Sequence, residues 1–267
     1  MVIPQRYIDN FTRLLNGISE DAKRRIAQAL QRITLDDIAV AREEIIAAMN
    51  AILGPYSMNA AALSATFYDG LRELFGISDG FTAEAISAHD PKATEGAVRS
   101  FMRYAVDDNA PALTTALLGR IDYEIKKTAN ECVEQNAIRD PKKPKWARVP
   151  TGAETCAFCI MLASRGFDYN SKETASHAHA NCDCRIVPSW DKDPRVENYG
   201  ERLDEYRQKY ERADELRRGD MPEELKQSIE LAKERHNERY RNGQEDSPWS
   251  SRNEITMIMR YQNPGMH

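Results

Sequence analysis

Apolar residues recur three and four positions apart through most of the first 137 residues, the period of helices that each bury one face. Ile8, Phe11, Leu15 and Ile18 form the first stripe, and Ile26, Leu30 and Ile33 a second segment, with Ser19 as its cap. Thr34-Leu35-Asp36-Asp37 reads as a further helix start, its carboxylates at the positive end of the helix dipole. Leu35, Ile38, Ile45, Met49 and Ile52 make the buried face. Gly54-Pro55 should end that helix, because proline has no N–H to give and its ring crowds the preceding turn. Ser57 then caps a helix carrying Leu63, Phe67, Leu71, Leu74 and Phe75, with Gly76 closing it. Asp90-Pro91 opens the next, with Val98, Phe101, Met102 and Ala105 on its face. The last helix of this half is expected from Pro111 to Ala137 on Leu113, Leu117, Ile121, Ile125 and Cys132.

The period breaks at Arg139-Asp-Pro-Lys-Lys-Pro-Lys-Trp146, where two prolines block helix continuation. Residues 1–140 are therefore read as a helical domain, 141–147 as a linker, 148–190 as a small module with short strands, and 191–267 as a charged helical region. In the module, a short helix is expected from near Thr155 to Gly166, and Cys184-Arg185-Ile186-Val187-Pro188 reads as a strand. Between Arg195 and Glu245, 26 of 51 residues are charged, 14 acidic and 12 basic, a balance that points to solvent-facing helices laced with ion pairs. Their apolar stripes are thin: Leu203, Tyr206, Tyr210, Ala213 and Leu216, then Leu225, Ile229, Ala232, His236 and Tyr240. A last short apolar segment surrounds Ile255, Met257, Ile258 and Tyr261. The fold class is mainly α.

Hydrophobic content of 41% against 30% charged describes a folded chain rather than a disordered one. A net charge of −5 argues against a surface built throughout to grip nucleic acid, and leaves only the local cluster Lys142, Lys143, Lys145 and Arg148, with Arg185, for phosphate contact. No apolar run reaches the length of a membrane span, so no membrane partner is expected. Phosphate-cradling glycine loops, dinucleotide fingerprints and the Gly-x-Ser-x-Gly elbow are all absent.

Candidate chemistry is confined to one stretch. It holds Cys156-x-x-Cys159 and, about 20 residues on, His177-x-His179-x-x-Cys182-x-Cys184, two knuckles with the spacing of a structural zinc site. Zinc needs four soft or borderline ligands converging at roughly 2.0–2.3 Å, which two such turns deliver in pairs. Cys156, Cys159 and His179 are the direct assignments. Cys182 completes His-x-x-Cys and is preferred as the fourth ligand, while Cys184, two positions along an extended segment, competes with it. Four protein ligands leave no open position, so the metal is expected to be structural and the protein not an enzyme. The start Met1-Val-Ile-Pro-Gln-Arg lacks the features of a secretory signal, which places the thiols in a reducing cytosol and disfavours disulfides. A zinc-dependent nuclease or other hydrolase, with three ligands, a water and His177 or Glu173 as base, is the alternative of another class. A zinc-finger-like nucleic-acid binder, recognisable by affinity that falls steeply with salt, is the third.

The runs Arg148-Val-Pro-Thr-Gly-Ala-Glu-Thr-Cys156-Ala-Phe-Cys159 and His179-Ala-Asn-Cys182-Asp-Cys184-Arg185-Ile-Val-Pro188 together resemble the Mu F-like head-morphogenesis family of tailed-phage minor head proteins. The likeness covers about 40 residues; Ala180 and Asp183 depart from the family's usual Pro and Arg. What the resemblance implies is a minor capsid protein that binds the portal and assembling head in the host cytoplasm. It would then lie inside the virion head near the portal, with packaged DNA as a further contact.

Overall fold

The computed structural model describes residues 1–152, 155–170, 183–242 and 248–266. Its frame is three long helices, α1 (Gln5–Leu30), α2 (Ile38–Leu74) and α5 (Ala110–Arg139), packed pairwise on one another. Two shorter helices, α3 (Pro91–Phe101) and α4 (Arg103–Val106), lie against α5, and α3 also packs on α2. Asp90 accepts the Lys92 N–H at 2.9 Å ahead of Pro91, and Asn109 accepts the Ala112 N–H at 3.1 Å, so both starts are capped by a side chain. At the end of α2, Gly76 takes φ +67°, the left-handed turn that only glycine adopts without strain.

Two expected breaks do not occur. Ser19 does not cap a second helix: α1 is continuous, and the buried Ser19 hydroxyl instead donates to Asp122 at 2.7 Å, tying α1 to α5. Nor does Gly54-Pro55 end α2, which runs through Pro55 for 37 residues. The proline forfeits one backbone bond, but Met49, Leu53, Ser57, Ala60 and Ala61 on either side of it are all buried, and packing outweighs the local preference. Gly54 helps, because a glycine before proline has no Cβ and so removes one of the clashes that disfavour helix there.

A missed strand follows α5. β2 (Lys145–Pro150) pairs antiparallel with β3 (Cys184–Ser189), Trp146 opposite Pro188 and Pro150 opposite Cys184. Five of the six β2 residues are buried, among them Trp146 and Ala147 from the end of the segment expected as a linker. A strand of such composition has no polar–apolar alternation, because it is covered on both faces. Behind the sheet sit α6 (Ala157–Ala163) and the charged helices α7 (Gly200–Arg218), α8 (Glu223–Arg241) and α9 (Ser251–Gln262). α9 packs on α6, α7 and α8. β1 (Val2–Ile3) lies parallel to β4 (Arg195–Val196). Buried apolar side chains from Ile3 through the bundle, sheet and α6 to Met259 form one continuous core.

Residues 77–90 form an irregular strap over α2 and α5, zipped down by side chains. Asp69 accepts the Ala83 N–H at 2.9 Å, and Asn136 both accepts the Glu84 N–H at 2.8 Å and donates to its carbonyl at 2.9 Å. Cys132, expected as a small buried hydrophobe, is buried and also receives the Ile86 N–H at 3.5 Å. Near the strap's end, α5 buries Glu124, paired with Arg120. Burial, opposed by Arg120 and Lys127, raises the Glu124 carboxyl above its ordinary range. Such a group stabilises the fold when protonated: the contribution is complete below the unfolded value of about 4.3 and is lost as pH rises through the raised one. Glu124→Gln should abolish that loss, and urea midpoints followed from about pH 4 to about pH 8 should diverge in the variant's favour as pH rises.

Candidate thiol centre

The sheet brings the two cysteine motifs together. Past Pro150, the Thr151 N–H and hydroxyl both donate to the Asp183 carbonyl, at 3.1 and 2.6 Å, which fixes Cys184 at the mouth of the β2–β3 pair. Cys156 is the residue that starts α6. Its backbone is extended, its carbonyl accepts the Ile160 N–H at 3.0 Å, and its sulphur accepts the Cys159 N–H at 3.4 Å. The Cys-x-x-Cys spacing is thus the first turn of a helix, with the second cysteine turned inward. Cys159 (2% exposed) and Cys184 (0%) pack against each other, and the partly buried Cys156 packs against them.

Each thiol is held by its backbone. Every residue of α6 but Phe158 is buried, and the Tyr169 hydroxyl donates to the Leu162 carbonyl at 2.6 Å, pinning the helix's far end. On the other side Asn130 of α5 clamps β3. Its Nδ2 donates to the Cys184 carbonyl at 3.0 Å and its Oδ1 accepts the Ile186 N–H at 3.1 Å. The edge of a two-stranded sheet buried against a helix needs such partners, and one amide side chain satisfies two groups. Tyr169 and Tyr199 flank the centre; burial pushes the Tyr169 hydroxyl up to about 12 and the Tyr199 hydroxyl higher still, so both stay protonated donors.

Of the residues expected to hold a metal, Cys156, Cys159 and Cys184 are brought together. His179 and Cys182 lie outside the described residues, as do His177 and Glu173. Among the described residues no group of three or more His, Cys, Asp or Glu side chains is arranged to hold a metal ion. Three cysteines are nevertheless donors of the kind a thiophilic ion takes, and Cys156, Cys159 and Cys184 pack together here. Cys132 takes no part, being bonded to the Ala61 and Glu84 carbonyls.

Two of the five basic candidates for phosphate contact are misplaced for it. Arg148 and Arg185 are 1% and 0% exposed within the sheet, because a short two-stranded sheet sandwiched between helices has no solvent face. Lys142, Lys143 and Lys145 do lie at the surface, around the turn between α5 and β2. Asn130 and Asp140 were invisible to motif reading. The signal for each was a short polar side chain where a buried stripe continues or a helix ends.

These features define a mainly helical protein with a buried thiol centre, and the comparisons give it a source class. The chain is 36% identical over 98 residues to the Gene 15 protein of Mycobacterium phage D29, covering 24% of this chain and 34% of that one. It is 33% identical over 130 residues to the Gene 15 protein of Mycobacterium phage L5, covering 46% of this chain and 43% of that one. It therefore spans less than half the length of either relative in these alignments. The family described as VG15 protein matches residues 2–213, most of the chain, and the chain belongs to that family of phage proteins. All three clustered cysteines fall inside the match; α8 and α9 lie beyond it. No solved structure matches. Among the described residues no helix is long and apolar enough to cross a membrane.

Proposed function

We propose that this is a phage head-assembly protein of the minor capsid type, acting by binding rather than catalysis, with one structural zinc at the thiol centre. The observation that carries the metal reading is the meeting of Cys184 with the Cys156–Cys159 turn across 24 intervening residues. Cys156, Cys159 and Cys184 would supply three ligands, and His179 or Cys182 the fourth. Zinc would cross-link α6 to β3 and so tie the sheet to α6 and to the helices α7 and α9 that pack on it. It would be a staple with no free coordination position. The assembly role rests on membership of a phage-protein family and on the likeness of the cysteine motifs to Mu F-like minor head proteins. Portal and capsid proteins are the partners that likeness implies. The exposed Lys142, Lys143 and Lys145 remain for contact with packaged DNA inside the head.

Purified under reducing conditions, the protein should contain one zinc per chain by elemental mass spectrometry. Cys159→Ser and Cys184→Ser should each lose it, and Cys132→Ser should retain it. A metal-free wild type whose thermal melt ignores chelator would end the zinc reading. For the assembly role, peptide mass spectrometry of gradient-purified virions should find the chain in few copies per particle; its absence from both virions and proheads would reject that role.

A further inference from the structure

We infer that Cys159 and Cys184 form an oxidation site, at which a peroxide converts the thiol centre into a disulfide between α6 and β3. The inference rests on the thiol-centre reading above and adds a chemical fate to it. Cys159 and Cys184 are both buried and pack against each other, and the less buried Cys156 packs against the pair, so the two thiols that would be bridged are already neighbours and Cys156 marks their more exposed side. Both backbones are held from outside the pair, Cys184 by Asn130 and by pairing with Pro150, Cys159 by the first turn of α6. A disulfide asks that its two residues be close neighbours, and the packing of Cys159 on Cys184 makes them so. Cys132, bonded to the Ile86 N–H and the Ala61 carbonyl among the strap contacts, is not part of the cysteine cluster.

The reaction balances with hydrogen peroxide as oxidant. One thiol attacks the peroxide, the O–O bond breaks, and a sulfenic acid and water form; the second thiol displaces hydroxide from that sulphur, the S–S bond forms, and a second water leaves. Two thiols have lost two electrons and two protons, and the peroxide has taken up both. Were the sulphurs to hold zinc, the same two-electron oxidation would remove two of its ligands. A protein assembled in a reducing host cell and then carried outside it meets the change of compartment that such chemistry needs. The staple would pass from metal to covalent bond with the same two elements joined.

The test uses the full chain, reduced, with its zinc content measured first, then treated with hydrogen peroxide and digested with trypsin without reductant. The expected product is a cross-link between the peptide 149–165, which carries Cys156 and Cys159, and the peptide 173–185, which carries Cys182 and Cys184. Fragmentation of that wild-type product should assign the bond to Cys159 and Cys184, a reading that needs no variant to fold. Cys159→Ser and Cys184→Ser should lower its yield more than tenfold, and Cys132→Ser should leave it unchanged. A bond confined to Cys156–Cys159, a cross-link assigned to Cys182, or no loss of thiol would overturn the inference. Zinc present with no cross-link formed would do so while leaving the metal reading intact, and a cross-link in protein that never held zinc would uphold the oxidation site and remove the metal.

Discussion

Asp140→Ala should cost about 3–5 kcal/mol of folding stability, because it strips the carboxylate from a buried charge pair and leaves the cation behind. Asp140 (0% exposed) sits at the C-terminal end of α5 and meets Arg72 (3% exposed) of α2. It also accepts the Tyr68 hydroxyl at 2.8 Å, the Trp190 indole N–H at 3.1 Å and the Lys142 N–H at 2.7 Å. One side chain thus joins α2, α5, the turn into β2 and the residue after β3. Burial and then the bond to Asp140 push the Tyr68 hydroxyl far above the usual phenol range, so it remains a donor at any accessible pH. Arg72 keeps Asp79 as a partner and stacks on Phe81, which limits the damage without replacing the lost contacts. In a chain of this size the change should lower the melting temperature by roughly 10 °C. Asp140→Asn, which keeps the oxygen but not the charge, should fall between. Asp193→Ala, at an exposed pair with Arg195, should move stability by no more than about 0.5 kcal/mol. A fall of that small size for Asp140→Ala would mean the network is not formed in solution.

Asn130→Ala should cost about 1–3 kcal/mol, since it orphans the buried Ile186 N–H and leaves the Cys184 carbonyl with the Arg185 guanidinium as its remaining donor. Hydrogen exchange at the Ile186 amide should accelerate well beyond that of its neighbours. The effect should also reach the thiol centre, because the clamp sets the height of Cys184 against Cys159. Zinc retained at full stoichiometry and unchanged affinity in Asn130→Ala would show that the ligands, not the helix, position that strand.

Much of the helical frame was legible because long amphipathic stripes leave little choice: Leu113 to Cys132 can bury one face only as a helix, and Asp90-Pro91 and Gly76 mark their ends by local chemistry. What escaped was decided by neighbours distant in sequence. Pro55 is tolerated because α1 and α5 cover the helix around it, and Ser19 sits mid-helix because Asp122 faces it. β2 was hidden for the same reason, as Lys-Pro-Lys-Trp reads locally as solvent and becomes strand only when β3 arrives to pair with it. At the thiol centre, spacing pointed to Cys156 and Cys159 and left Cys184 as a competitor to Cys182. The meeting of Cys184 with them depends on strand register, in which Pro150 opposes Cys184, and register is a tertiary property that no spacing rule carries.

The parallel pairing of β1 with β4 bears on the order in which the chain can fold as it is made. Val2 waits for Arg195, so the first strand emerges from the ribosome nearly two hundred residues before its partner exists. The three long helices are by then available to collapse on one another, since their contacts are closer in sequence and close sooner. Docking of Ile3, fully buried in the finished protein, is therefore a late event, a seal set on a bundle that is already standing.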